Sequence, residues 1–417
     1  MSQAMIKMQL VDAVHVVNAL KKGALVMIAC ALMTGCNALP RLGAVPDRFA
    51  ARAVLLGLED IRYVVGDEQD MQRLSRDVAD TWPRERTWLA AQGKSINTLP
   101  PSNLLALSGG GDNGAFGAGL LNGWTTSGTR PEFLLVTGIS TGALIAPFAF
   151  LGPKYDAVLR DLYTRNQRAD IISIRSWWAV LTDDSVADTA PLRLQLRKHI
   201  DRAFLDEVAA EYAKGRELWI STTNLDARQR VIWNMTKLAA SKHPRALDLF
   251  HDVMLASAAI PGAFPPVMFD VELDGKPHQE MHVDGGTMAQ VFVYPPNVKL
   301  AELSKTEGGE RQRHMYVVMN TRIDPDWAQT ERRVISIAGR AISSMIHTQG
   351  VGDLYRIFLT AQRDKVKFNM THIPEDFQHL HPEEFDNSFM QALYERGYQL
   401  AISGRAWKQL PPGFEFN

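Results

Sequence analysis

Only two cysteines, Cys30 and Cys36, occur in 417 residues, both at the edge of one short apolar segment near the start of the chain. That scarcity excludes a disulfide framework or a cysteine-based metal site in the body of the protein. No charge of one sign dominates either, since 45 Lys and Arg stand against 46 Asp and Glu. The chain therefore lacks the basic field that attracts a polyanion, and no nucleic-acid partner is expected. The apolar stretch from Gly23 to Met33 is too short to cross a bilayer, which needs roughly 20 residues. Internal repeats and low-complexity tracts are missing too, which leaves an ordinary globular body with enough apolar residues for a substantial core.

What the first residues do contain is "KKGALVMIACALMTGC". Two lysines, an apolar centre and small residues at the end are the parts of a secretory signal, so residues 1–35 are expected to be removed. The ending "MTGC" is similar to the bacterial lipoprotein signal, which implies that Cys36 becomes a lipidated first residue and that the chain is anchored to a membrane of the bacterial envelope. Met33 departs from that pattern, where Leu, Val or Ile is usual. The alternatives are a plain secretory leader, with a periplasmic or secreted chain, or an ordinary anchor.

Beyond the leader, residues 36–99 are charged and loosely helical in spacing, ending in "SINTLPPSN", and read as an N-terminal helical spacer or cap. The body, residues 100–410, begins with a change of pattern. Leu104 to Leu107 is a continuous apolar run suited to a buried strand, and a glycine loop then opens a small-residue helix over about Asn113 to Trp124. "FLLVTGISTGALIAPFAFLG" repeats the plan with a strand over Phe133 to Val136, a tight turn at Ser140 and a helix toward Phe150. Strand, helix and strand in so short a span predict neighbouring parallel strands, with both turns at one edge of the sheet. Further strands are predicted from Leu218, through "QEMHVDGG" and from His314, with a helix ending before Pro261. The alternation is that of an α/β layer fold.

"GGGDNG", Gly109 to Gly114, formally fits a dinucleotide fingerprint. That motif needs an acidic residue near the end of the second strand, where Val136, Thr137 and Gly138 stand instead. A phosphate loop is equally poorly served, because Ala115 and Phe116 follow where Lys and Ser or Thr are required. "GISTG", Gly138 to Gly142, supplies a different chemistry. G-x-S-x-G between a buried strand and a helix is a nucleophile elbow, in which Ser140 is held in strained backbone geometry with its hydroxyl outward. Gly138 and Gly142 leave room for neighbouring elements. The glycine loop on the adjacent strand can then present backbone N–H groups, those of Gly110 and Gly111, to an oxyanion that exists only during reaction.

A serine hydroxyl needs a base. Asp284 in "HVDGG" ends an apolar strand and is followed by Gly285 and Gly286. A structural Asx turn is the competing explanation of this motif. Partial burial would raise the pKa of the carboxyl and fit it for base work. A Ser-His-Asp triad is the other arrangement to weigh. His282 stands two residues before Asp284, and His314, His347, His372, His379 and His381 follow, none within a motif.

Taken in order, "GGGDNG", "GISTG", "ASAAIPGAFPPV" (Ala256 to Val267) and "DGG" resemble the patatin-like phospholipases, a resemblance running from about Leu104 to Gly397. It implies a three-layer α/β/α fold with a mainly parallel sheet, Ser140 as nucleophile and Asp284 as general base. It also implies an oxyanion hole in the loop of Gly109, Gly110, Gly111 and Gly114. The expected reaction is hydrolysis of fatty-acyl esters of phospholipids or lysophospholipids through an acyl-enzyme, with no metal and no cofactor. Asn113 departs from the family, which generally has Lys or Arg there. Other readings of the same residues are a non-specific carboxylesterase, an acyltransferase, or a catalytically silent envelope scaffold. Trp177 and Trp178 are expected in a lid or in the core.

Overall fold

The computed structural model describes residues 39–414 except Thr98, Gln167, 175–182, 307–310 and Asp326. The leader, both cysteines, Trp177 and Trp178 thus lie outside the described residues. A nine-stranded mixed sheet runs through the centre. Its strands are β1 (Arg62–Val64), β2 (Ser102–Leu107), β3 (Leu135–Gly138), β4 (Glu217–Asn224), β5 (Gln229–Asn234), β6 (Val267–Leu273), β7 (Lys276–Asp284), β8 (Arg313–Met319) and β9 (Lys367–His372). The order is β1-β5-β4-β3-β2-β8-β9, with the hairpin β6-β7 joined to β4. From β4 to β9 the strands are parallel, whereas β1, β5 and the hairpin pair antiparallel.

The continuous apolar runs follow from burial of both faces. Leu105, Leu107, Val136, Leu218 and Ile220 enter one core, while Leu104, Ala106, Leu135 and Trp219 enter the other. The first face is covered by α2 (Gly114–Thr126), α3 (Thr141–Leu151), α4 (Ala246–Ser257) and α6 (Asn387–Ile402), through Phe116, Phe148, Phe250 and Leu393 among others. The second is covered by α1 (Glu68–Ala91), through Met71, Leu74 and Val78, and by the later turns of α5 (Val334–Arg363), through Leu354, Ile357 and Phe358. The small residues of α2 allow a close helix pair, because a side chain at Gly119 or Gly123 would meet the α6 backbone at Tyr394 or Tyr398.

Of the N-terminal spacer or cap, the described residues join the body: β1 extends the sheet beyond β5, and the helix α1 closes one face of it. Arg62 reinforces that junction, donating to Glu280 of β7 at 2.5 Å and to the Ala53 carbonyl at 2.9 Å, all buried. In the C-terminal part, β9 adds a strand in parallel register with β8.

The register around β4 positions the site. β3 follows one edge of β4 and stops at Gly138, opposite Ile220. β7 pairs with β4 over Thr222 to Asn224, with Asp284 opposite Thr222. Two residues along a strand are about 7 Å, so the end of β7 arrives just beyond the turn that leaves β3.

Candidate active site

Ser140 occupies that turn with φ 54° and ψ −126°. This is strained for a residue with a side chain, a conformation costing about 1–3 kcal/mol that only an over-determined setting sustains. The setting is visible in the glycines. A Cβ at Gly138 would run into the carbonyl of Gly142, and one at Gly142 into the carbonyls of Leu107 and Ser108. Ala in place of Gly142 would ordinarily favour the helix by up to about 1 kcal/mol, but the overlap is with backbone and outweighs it. Gly142→Ala is expected to lower unfolding free energy by about 3 kcal/mol or more, read from urea denaturation.

Ser257, at the end of α4, locks the elbow from below. Its hydroxyl accepts from the Ser140 amide at 3.1 Å and donates to the Ser221 carbonyl at 2.7 Å. The nearby Ala259 carbonyl accepts the Asp284 amide at 2.9 Å. The segment "ASAAIPG" therefore holds the backbones of both Ser140 and Asp284, beyond the packing of small residues that its composition suggests.

Asp284 is buried and its carboxyl interacts with the Ser140 side chain. Its Oδ1 also accepts the Gly286 amide at 2.6 Å. The Asx turn and the meeting with Ser140 are thus properties of the same side chain. Burial pushes the carboxyl up, Ser140 and the Gly286 amide pull it partly back, and it comes to rest at about 7. Gly285 passes so close to the Ser221 carbonyl that a side chain would clash.

In the glycine loop, Gly110 has φ 154° and Gly111 has φ 59°. A side chain at Gly110 would collide with the Asn320 carbonyl. Among the described residues, the Gly110 and Gly111 amides have no protein acceptor. The Gly109 amide, by contrast, donates to the Gln290 carbonyl at 3.0 Å, and that of Gly114 to the Gly111 and Asp112 carbonyls. Gly109 and Gly114 thus belong to the loop as shaping positions, their amides being engaged within the protein. The former lies against Ser140 and Gln290, and the latter against Thr141.

Two positioning residues carry no motif. Asn320, just past β8, donates its amide to Ser108 Oγ at 2.7 Å and Nδ2 to the Ser108 carbonyl at 2.9 Å, while Oδ1 accepts the Gly117 amide at 3.0 Å. Gln290 donates Nε2 to the Gly286 carbonyl at 2.8 Å and so joins the DGG turn to the glycine loop. Their only sequence signal is a polar residue next to an apolar strand or turn.

No histidine among the described residues hydrogen-bonds to Ser140 or Asp284. His282 is fully buried, with Nδ1 2.8 Å from Thr222 Oγ1 and Nε2 3.1 Å from Glu280, so both ring nitrogens are engaged. His381 contacts Asp112, His347 the Ile323 carbonyl, and His372 the Ile373 carbonyl and Lys408. His379 contacts the Leu380 carbonyl, and His314 stacks near Tyr316.

Beside the loop opens a cleft of about 520 Å³, with Asn113, Gln290, Arg322, His347, His379 and His381 in its walls. Arg322 is itself bound to Asp324 and to the Phe377 and Glu375 carbonyls. A smaller apolar pocket of about 60 Å³ begins at Thr141, next to Ser140 in the chain, and is walled by Leu144, Phe148, Tyr163, Leu196 and Met390. Among the described residues no group of His, Cys, Asp or Glu is arranged to hold a metal ion, and no helix is long and apolar enough to cross a membrane.

An elbow serine on a mostly parallel sheet, under a glycine loop, defines a class of α/β protein. Residues 105–296, a little under half of the chain, match the family model described as patatin-like phospholipase and mark a domain of that type there. The fold is patatin-like. Among solved structures the chain is similar to VipD from Legionella pneumophila, with 11% identity, a TM-score of 0.32, and coverage of 75% of this chain and 68% of that one. It is also similar to the type III effector protein ExoU, with 12% identity, a TM-score of 0.27, and coverage of 76% of this chain and 56% of that one. No curated protein matches the sequence.

Proposed function

We propose that the protein is a serine acyl hydrolase that cleaves fatty-acyl esters of phospholipids or lysophospholipids through a Ser140–Asp284 dyad. The observation that carries this reading is a buried carboxyl with a pKa near neutrality against a serine on a strained elbow. Asp284 takes the Ser140 proton as the hydroxyl oxygen attacks the ester carbonyl. The tetrahedral oxyanion is met by the Gly110 and Gly111 amides, donors of a kind worth about 3 kcal/mol each when well placed. Collapse breaks the bond to the leaving alkoxide, which takes the proton from Asp284, and leaves an acyl-serine. Water, deprotonated by Asp284, then attacks the acyl carbon and releases the fatty acid, restoring Ser140.

The apolar pocket beside Thr141 supports an acyl substrate, since it gives the carbon chain a dry wall near the serine. The leader pattern and Cys36 support a lipid-anchored location in the bacterial envelope. Incubating the purified protein with defined diacyl and lysophospholipids should yield free fatty acid and the matching deacylated lipid by mass spectrometry. Intact lipid after prolonged incubation, with the protein folded, would overturn the reading.

A further inference from the structure

The first half of α5 inverts the usual arrangement of a surface helix. Ordinarily the apolar stripe faces the body and the polar side faces water. Here Val334, Ile337, Ala338, Ala341, Ile342 and Met345 recur at three- and four-residue spacing, forming one stripe, and all are exposed. Val334 is 84% exposed and Met345 62%. The half-covered positions include Ser336, Arg340 and His347, which fall on the opposite, polar side. So the helix shows water its apolar side and the body its polar one.

The stripe borders the site already described. Ser343, Ile346 and His347 from the same helix line the large cleft with Asn113 and Gln290. Leu380, 85% exposed, stands between the cleft residues His379 and His381, and Trp327, 88% exposed, follows the cleft residue Asp324. The charge pattern selects the occupant. Arg332 and Arg333, which open the helix, are exposed, and from 332 to 349 there is no Asp or Glu. The acidic neighbour is Glu331, 3.4 Å from Arg333 in an exposed pair. An exposed apolar stripe with cations at its N-terminal end and no carboxylate within it fits the boundary of an anionic bilayer, where apolar side chains enter the acyl region and the two arginines meet phosphates.

We infer that residues 334–346 of α5, with Leu380 and Trp327, form an interfacial surface that docks on an anionic lipid bilayer and brings the mouth of the cleft against it. This goes beyond the assignment of Ser140 and Asp284 and does not depend on hydrolysis.

The test uses the full chain with Cys30→Ser, Cys36→Ser and Ser140→Ala, so that neither an acyl anchor nor lipid turnover intervenes. Met345→Cys carries an environment-sensitive nitrobenzoxadiazole label, and a parallel protein carries it at Ser403→Cys, exposed at the end of α6. Adding vesicles of phosphatidylcholine with phosphatidylglycerol should raise emission at 345 about threefold, with a blue shift and quenching by acyl-chain spin labels. The change should be smaller with phosphatidylcholine alone and absent at 403. No change at 345, or an equal change at 403, would overturn the inference. So would a rise at 345 with protein concentration alone, accompanied by a doubled mass in light scattering, because a second copy would then cover the stripe. In the otherwise unchanged protein, Ile337→Glu with Ile342→Glu should reduce hydrolysis of vesicle lipid about tenfold and leave that of a short monomeric ester unchanged. Equal loss on both substrates would count against docking. Absence of hydrolysis in the parent protein would instead refute the proposed function and leave the fluorescence result standing.

Discussion

Ser140→Ala is expected to reduce turnover of a phospholipid by about 10⁴-fold or more and to abolish covalent labelling by a fluorophosphonate. Without the Ser140 hydroxyl no free nucleophile stands at the elbow, because the next hydroxyl, that of Thr141, is buried against Tyr163. The glycine amides alone would retain only a small acceleration over water. The substitution should leave the fold intact, because the hydroxyl is not what holds the turn: the Ser140 amide does that, through Ser257. Ser140→Gly sharpens the test. It should be equally inactive yet more stable by about 1 kcal/mol, since glycine adopts the φ of 54° without strain. Labelling equal to that of the parent protein would remove Ser140 from the reaction.

Asp284→Asn is expected to lower kcat/KM by about 10³-fold, within the range for loss of a general base. It keeps the shape of the turn, because an amide oxygen can still accept from the Gly286 amide. The parent enzyme should show kcat/KM rising tenfold per pH unit and levelling above about 7, where the Asp284 carboxyl ionises. The asparagine variant should lose that limb. Stability moves the other way. The folded pKa of about 7 stands above the reference of 3.8, so the contribution of this group is fully present below the reference value. It is lost as pH rises toward 7, by about 4 kcal/mol in all. At pH 8 the asparagine variant should therefore unfold at a higher denaturant concentration than the parent, a gap that closes near pH 4. A pH profile flat through neutrality in the parent, or full activity in the variant, would sink the assignment.

Much of this arrangement is legible in the sequence because its parts are local. β2 and β3 announce themselves as unbroken apolar runs, since each is buried on both faces, and the glycines follow them where backbone must approach backbone. The elements that escape notice are those whose reason is distant. β9 reads "KFNMTH", with alternating polar residues and only Phe368 and Met370 as apolar anchors. Its place is set by pairing with β8. β1 is three residues long and exists because β5 offers an edge. Asn320, Gln290 and Ser257 act through hydrogen bonds to segments far along the chain, so no spacing rule exposes them. The engagement of the Gly109 and Gly114 amides is hidden for a related reason: a glycine shows that space is needed, while only the folded chain shows where its amide points.

The way β7 continues along β4 where β3 leaves off makes one strand the common ruler for both members of the proposed dyad. Their separation is copied from the repeat of β4 and is insulated from the outer helices and from the turn of the β6-β7 hairpin, which can change length without reaching it. A slip of one residue between β7 and β4 would be different in kind. It would send the carboxyl to the far side of the sheet and leave the serine without a partner, with every glycine still in place.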